Sequence, residues 1–149
     1  MCIFCMIANK EIPSKTIYED DKVMAFLDLS QTTNGHTLVV PKAHFETLVD
    51  VEPETLAHMI KVTQQLTKDI MAKTGATGFN ILNNGYEVAG QTVMHAHIHI
   101  IPRYSKDDAL VIEFNDNPNK DIDTLPPFLK CSVSSHSGCR LQAGRCSKI

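Results

Sequence analysis

The sequence predicts an α+β domain in which a mostly antiparallel sheet of about five strands carries one long helix. Three observations lead there. Five short apolar segments are bounded by turn-forming residues, one stretch beginning at Pro53 repeats its apolar residues at helical spacing, and that stretch falls between the third and fourth short segments. A chain of 149 residues, 43% hydrophobic and 21% charged, suits one hydrophobic core.

The first two strands are read at Thr16–Glu19 and Lys22–Asp28, joined through Asp20-Asp21 as a hairpin with an acidic turn. The third, His36–Val40, follows the polar loop Gln31–Gly35 and stops at Pro41, which cannot donate to a ladder. Pro53 suits a first helical position, and Leu56, Met59, Ile60, Thr63, Leu66 and Ile70 recur every three or four residues. Lys73 in the last turn and Gly75 just beyond it mark the end. Gly78–Leu82 and Met94–Ile101 complete the set around a glycine-bearing loop. This organised part spans residues 1–114. Residues 115–149 form a C-terminal extension, and from Thr124 onward it holds no acid, four bases and three of the five cysteines. It reads as weakly ordered or partly non-native.

Charge and hydropathy exclude whole classes of partner. Lys+Arg 14 against Asp+Glu 17 gives −3, which is no electrostatic footprint for nucleic acid. No apolar run approaches the ~20 residues of a membrane-spanning helix. The opening Met-Cys-Ile-Phe-Cys lacks the parts of a signal peptide, so a cytoplasmic location is expected.

The segment richest in chemistry is His95-Ala96-His97-Ile98-His99-Ile100. Alternate residues of a strand share a face, so the three imidazoles line one side while Ala96, Ile98 and Ile100 face the other. One such histidine is ordinary on a half-buried strand, but three in strict alternation point to function. Two chemistries use such a row. A His-x-His pair can hold a catalytic zinc, or a neutral imidazole can attack an electrophile while its neighbours fix its tautomer and donate protons. Upstream, Asn83-Asn84-Gly85 and Gly90-Gln91-Thr92 offer glycine backbone and the neutral donors Asn84, Gln91 and Thr92. Beside three histidines this loop points to phosphate chemistry.

Cys2-x-x-Cys5 is compatible with a zinc half-site, a redox pair or two small buried hydrophobes. Cys131, His136, Cys139 and Cys146 form a second group whose spacing fits no strong zinc pattern, and His58 on the helix reads as surface or packing.

The histidine row resembles the histidine-triad signature of the HIT superfamily. The resemblance runs from Ile3-Phe4 through Ala25-Phe26-Leu27-Asp28-Leu29, Gly35-His36-Thr37-Leu38-Val39-Val40-Pro41-Lys42 and the Asn84 loop to Pro102-Arg103. It is similar to the nucleotide-binding, bacterial Hint-type branch, which implies a HIT-like fold with a short N-terminal helix. It also implies an enzyme that cleaves purine nucleoside phosphoramidates or related conjugates through a nucleotidyl-histidine intermediate. His97 would be the nucleophile, His99 a donor to the phosphate, and His36 the residue behind it. Asn84, Gly90, Gln91 and Thr92 would hold the phosphate or leaving group, and Asp28 the ribose hydroxyls. Ile3, Phe4, Phe26, Leu27 and Leu29 would form the base slot. The resemblance further implies a structural Zn²⁺ on Cys2, Cys5, His44 and His95, and a homodimer. Hydrolysis of dinucleoside polyphosphates and nucleotide binding with negligible turnover are the alternative functions.

Overall fold

A computed structural model describes residues 2–115. Met1–Ile112 form one compact unit. The extension from residue 115, including Cys131, His136, Cys139 and Cys146, lies outside the described residues apart from residue 115 itself.

The chain opens with a short helix α1 (Ile3–Ala8), followed by β1 (Thr16–Glu19), β2 (Val23–Leu27) and β3 (Thr37–Pro41). A long helix α2 (Pro53–Thr74) leads to β4 (Gly78–Leu82). A single 3₁₀ turn (Glu87–Ala89) precedes β5 (Ile98–Arg103). Every neighbouring pair in the sheet is antiparallel, in the order β1-β2-β3-β5-β4. β3 and β4 therefore run parallel one strand apart. Parallel strands need a crossover, and α2 supplies it. β5 then enters the gap, so the histidine segment is led into the middle of the sheet.

Both faces of the inner strands are covered, which is why β2 and β3 read as continuous apolar runs. On one face Val23, Ala25, Val39, Ile98 and Ile100 pack with Met59, Val62, Leu66 and Ile70 of α2. On the other, Met24, Phe26, Leu38 and Val40 pack with Phe4 of α1. The register Phe26↔Leu38↔His99 carries His99 onto that second face.

Three element readings are corrected. The buried stripe of α2 runs through Met59, Val62, Thr63, Leu66, Thr67 and Ile70, whereas Ile60 is half exposed. Its threonines remain inside because Thr63 and Thr67 donate to the carbonyls of Met59 and Thr63, one turn back. β3 includes Pro41, which pairs with Val23 at the strand end. The last strand begins at Ile98, not Met94. Before it, the Ala96 N–H donates to the Phe45 carbonyl and the Asn83 amide to the His97 carbonyl. A loop and a side chain thus replace the ladder, although His95 and His97 keep the face that alternation gave them. Among the described residues no helix is long and apolar enough to cross a membrane.

Candidate active site

His95, His97 and His99 sit at the mouth and first turn of β5, and each has one ring nitrogen committed. His97 Nδ1 lies 2.7 Å from the His95 carbonyl oxygen. A carbonyl only accepts, so Nδ1 carries the proton and Nε2 carries the lone pair. The ring is buried, 5.4 Å from that of Phe4 and 4.8 Å from that of His99, centroid to centroid.

The tautomers of His36 and His99 follow from one missing bond. His36 Nε2 is 2.9 Å from His99 Nδ1, while His36 Nδ1 is buried with no hydrogen-bond partner. An orphaned buried N–H is the costlier state, so Nδ1 holds the lone pair and Nε2–H donates to His99 Nδ1. The proton of His99 is then on Nε2. The row therefore presents a lone pair on His97 beside an N–H on His99, a nucleophile next to a donor. Burial, then the neighbouring His97 and His36, push His99 down to about 4; burial also holds His36 below its ordinary value against the pull of Asp28. Both are neutral near pH 7.

Asp28 closes this end. Its Oδ1 accepts from the Ser30 N–H at 2.8 Å and the Ser30 hydroxyl at 2.9 Å, and its Oδ2 lies 3.6 Å from His36 Nε2. Burial pushes this carboxyl up, but the Ser30 bonds and the two imidazoles outweigh it and hold it below its usual range. It is an ionised acceptor with Oδ2 to spare.

These groups open on a cleft of about 230 Å³. Phe4, Phe26 and Leu38 form its buried apolar wall, with Leu27 beside them, and Ile3 and Leu29 stand at its exposed rim. Asp28, Thr92, His97 and His99 supply its polar side. Ile7, Ser14 and Lys15 also line it. Sequence reasoning missed them because nothing in their spacing marks a site.

In the loop before the triad, the Gln91 side chain departs from expectation. The Gln91 side chain is buried and fully used: its amide donates to the Glu46 and Val93 carbonyls, and its oxygen accepts from the Tyr86 N–H. It shapes the loop and has no donor left for phosphate. Asn84 donates to the Gly90 carbonyl at 3.3 Å, and neither residue lines the cleft. Asn83, its neighbour, holds the His97 backbone at 2.8 Å. Gln31 is a second residue the sequence did not single out. Its amide bridges the carbonyls of Asp28 and His36 at 2.6 and 2.8 Å, fixing the β2–β3 loop.

Cys2, Cys5, His44 and His95 meet at the other end of the row. His95 Nδ1 is 3.4 and 3.5 Å from the Cys2 and Cys5 sulfurs and 3.3 Å from His44 Nδ1, which is itself 3.3 Å from Cys5. Zinc bond lengths at the tetrahedral angle require N···S edges of about 3.5 Å and N···N edges of about 3.3 Å. The residues present therefore fit a four-coordinate zinc. His95 Nε2 lies 2.9 Å from the Pro41 carbonyl, which fixes its proton there and leaves Nδ1 free to ligate. A zinc shared by His36 and His99 fits poorly, because the 2.9 Å between their nitrogens is a hydrogen bond, shorter than the ~3.3 Å between two ligands of one ion.

Comparison with known proteins identifies the family and the fold. The HIT domain family model matches residues 9–106. A HIT-like protein of Methanocaldococcus jannaschii is 48% identical over 130 residues, covering 87% of this chain and 99% of its own. A protein of Arabidopsis thaliana named adenylylsulfatase HINT3 is 40% identical, covering 71% of this chain and 54% of its own. Among solved structures, a HIT family protein from Bacillus anthracis superimposes with a TM-score of 0.77 at 42% identity, covering 82% of this chain and 87% of its own. A zinc-bound histidine triad family protein from Mycobacterium smegmatis does so with 0.69 at 39% identity, covering 79% and 84%.

Proposed function

The chain belongs to the HIT family, and from that premise we propose that it hydrolyses purine nucleoside phosphoramidates and related nucleotide conjugates through a nucleotidyl-His97 intermediate. The observation that carries the reading is the bond from His97 Nδ1 to the His95 carbonyl, which directs the lone pair to Nε2. A neutral imidazole with its other proton already committed attacks phosphorus without a separate base.

In the first step the P–Nε2 bond forms and the bond from phosphorus to the leaving nitrogen breaks. That nitrogen, carrying a solvent-derived proton, departs as a neutral amine with the bonding pair. In the second step water attacks phosphorus and the P–Nε2 pair returns to His97. One water proton goes to solvent and the nucleoside monophosphate leaves. The His99 Nε2–H and the Thr92 hydroxyl are donors for the phosphoryl oxygens, each contributing about 10²–10³ in rate by analogy with oxyanion holes. Asp28 accepts from the ribose hydroxyls, and the base lies against Phe4, Phe26 and Leu38.

Zinc on Cys2, Cys5, His44 and His95 would act structurally, tying the first residues to the sheet. The thiols that hold it suit the reducing cytoplasm. The edge strand β4, with Phe79 and Ile81 exposed, is the natural pairing surface for a homodimer.

The test is incubation with adenosine 5′-phosphoramidate followed by intact-mass detection. Release of AMP and a transient nucleotidyl adduct, absent in His97→Ala, are expected. Binding without adduct or turnover would return the chain to a nucleotide-binding module. Turnover of dinucleoside polyphosphates alone would move it to that alternative class.

A further inference from the structure

The metal set holds two thiols that the chemistry of the cleft does not use. Cys2 and Cys5 are only partly buried, and their sulfurs lie within 4.8 Å of each other and of ring nitrogens of His44 and His95. Cys2 stands just ahead of α1 in extended backbone, with φ -85° and ψ 124°, and its side chain caps no helical N–H. A cavity of about 510 Å³ opens on Cys2 and His44, which gives a small solute a path to the sulfur.

The set divides by chemistry as well as by position. A tetrahedral zinc with Zn–S bonds of about 2.3 Å keeps two sulfurs about 3.8 Å apart, whereas a disulfide draws them to about 2.05 Å and removes the negative charge that binds the metal. The pair therefore serves one bond or the other. Oxidation takes both sulfurs at once, and His44 and His95 remain as two ligands where a structural site needs four. The consequence reaches the cleft through Phe4, which lies between the two cysteines in sequence. Its buried ring stands 5.5 Å from that of Phe26, 5.8 Å from His95 and 5.4 Å from His97, centroid to centroid. With six residues and no side-chain cap, α1 has little of its own to hold that ring in place once the clasp opens.

Resting on the zinc and nucleotide reading above, we propose that Cys2 and Cys5 are a redox modification site, at which hydrogen peroxide converts the metal-bound thiolates into a disulfide, frees the zinc and loosens the nucleotide cleft. One thiolate attacks the peroxide, and the O–O bond breaks to leave a sulfenic acid and hydroxide. The second thiolate attacks that sulfur, the S–S bond forms, and the S–O bond breaks to give a second hydroxide. Two electrons pass from the thiolates to the peroxide, solvent protons turn both hydroxides into water, and the zinc departs as the unchanged divalent cation. A dithiol reductant reverses the bond by exchange, and zinc returns.

The experiment treats the full chain, loaded with zinc, with stoichiometric hydrogen peroxide beside a colorimetric zinc chelator, and repeats this on Cys131→Ser/Cys139→Ser/Cys146→Ser. In both proteins one zinc should be released, and the tryptic peptide Met1–Lys10 should become lighter by two hydrogens. AMP affinity by calorimetry should fall about ten-fold or more, the worth of a buried aromatic wall, and dithiothreitol with zinc should restore it. That recovery separates the disulfide from methionine oxidation, which dithiothreitol leaves in place. Cys2→Ser/Cys5→Ser should bind AMP as weakly before peroxide as the wild type does after it. Zinc retained under peroxide, a disulfide to a cysteine beyond residue 115, or zinc release with AMP affinity unchanged overturns the inference. A chain that takes up no zinc, or binds no AMP before treatment, overturns the reading on which it rests.

Discussion

The two faces of the sheet are similarly apolar, yet they are covered by very different means. One lies under α2, a helix of 22 residues with Pro53 in its first turn, Glu54 and Lys73 placed to suit its dipole, and Gly75 in the left-handed region at its end. The other lies under α1, six residues with no side-chain cap and no charge suited to its dipole. A long cover closes its face and makes a core. A short one leaves the strip beside His97 and His99 open and makes a cleft. The lesson is that the site is open because its cover is too short to be stable alone, and that under the proposed zinc Cys2 and Cys5, flanking Phe4, would do what helix length does on the other side.

The comparison breaks if the faces respond alike to mutation. The largest contrast is between His97→Ala and Met59→Ala. His97→Ala should lower turnover by about 10⁴-fold or more with a small change in melting temperature. Met59→Ala, on the fully buried inner face of α2, should cost about 2–5 kcal/mol of stability in denaturant titration, with kcat per folded molecule unchanged. Loss of both properties in both variants would mean one indivisible core.

Metal removal should produce the next effect. With the clasp loosened, α1 and its Phe4 leave the cleft, and nucleotide affinity falls about 10- to 100-fold, the worth of one buried aromatic wall. Hydrogen exchange would rise across α1 while α2 keeps its protection. Uniform exchange in both helices after chelation would contradict the asymmetry.

The smallest effect is a pH dependence confined to the cleft face. His36 and His99 are held below the value of about 6.5 that both have in an unfolded chain, with His99 at about 4. Between those values the unfolded state binds more protons. Their contribution to stability is therefore complete above pH ~6.5 and declines as pH falls toward 4. The melting temperature of the wild type should drop through that window more steeply than that of His99→Gln. Parallel curves for the two proteins would remove the account of why these rings are neutral.

Much of this was legible in the chain. The alternation at His95, His97 and His99 assigned their shared face before any strand was drawn, because side-chain direction along extended backbone depends only on parity. The ends of α2 were marked by Pro53 and Gly75 for equally local reasons. The use of the Gln91 side chain was hidden for the opposite reason. Asn84, Gly90 and Gln91 have the right chemistry for phosphate, but Gln91 spends its amide on Glu46, 45 residues earlier, and no local pattern reports a partner so distant. Asn83 and Gln31 escaped notice likewise, as their bonds run to backbone carbonyls that folding brings to them.

What the sequence determined by itself is therefore the periodic and the local: strand parity, helix ends, and which residues have the chemistry to ligate, attack or accept. The tertiary structure decided which nitrogen of His36, His95 and His99 carries the proton. That choice depends on whether a carbonyl, a second imidazole or nothing lies opposite the ring, and those neighbours come from β3, from the β2–β3 loop and from β5, whereas the partner of His97 is the His95 carbonyl two residues back. A tautomer is a property of the contact, and the contact exists only once the chain has closed around it.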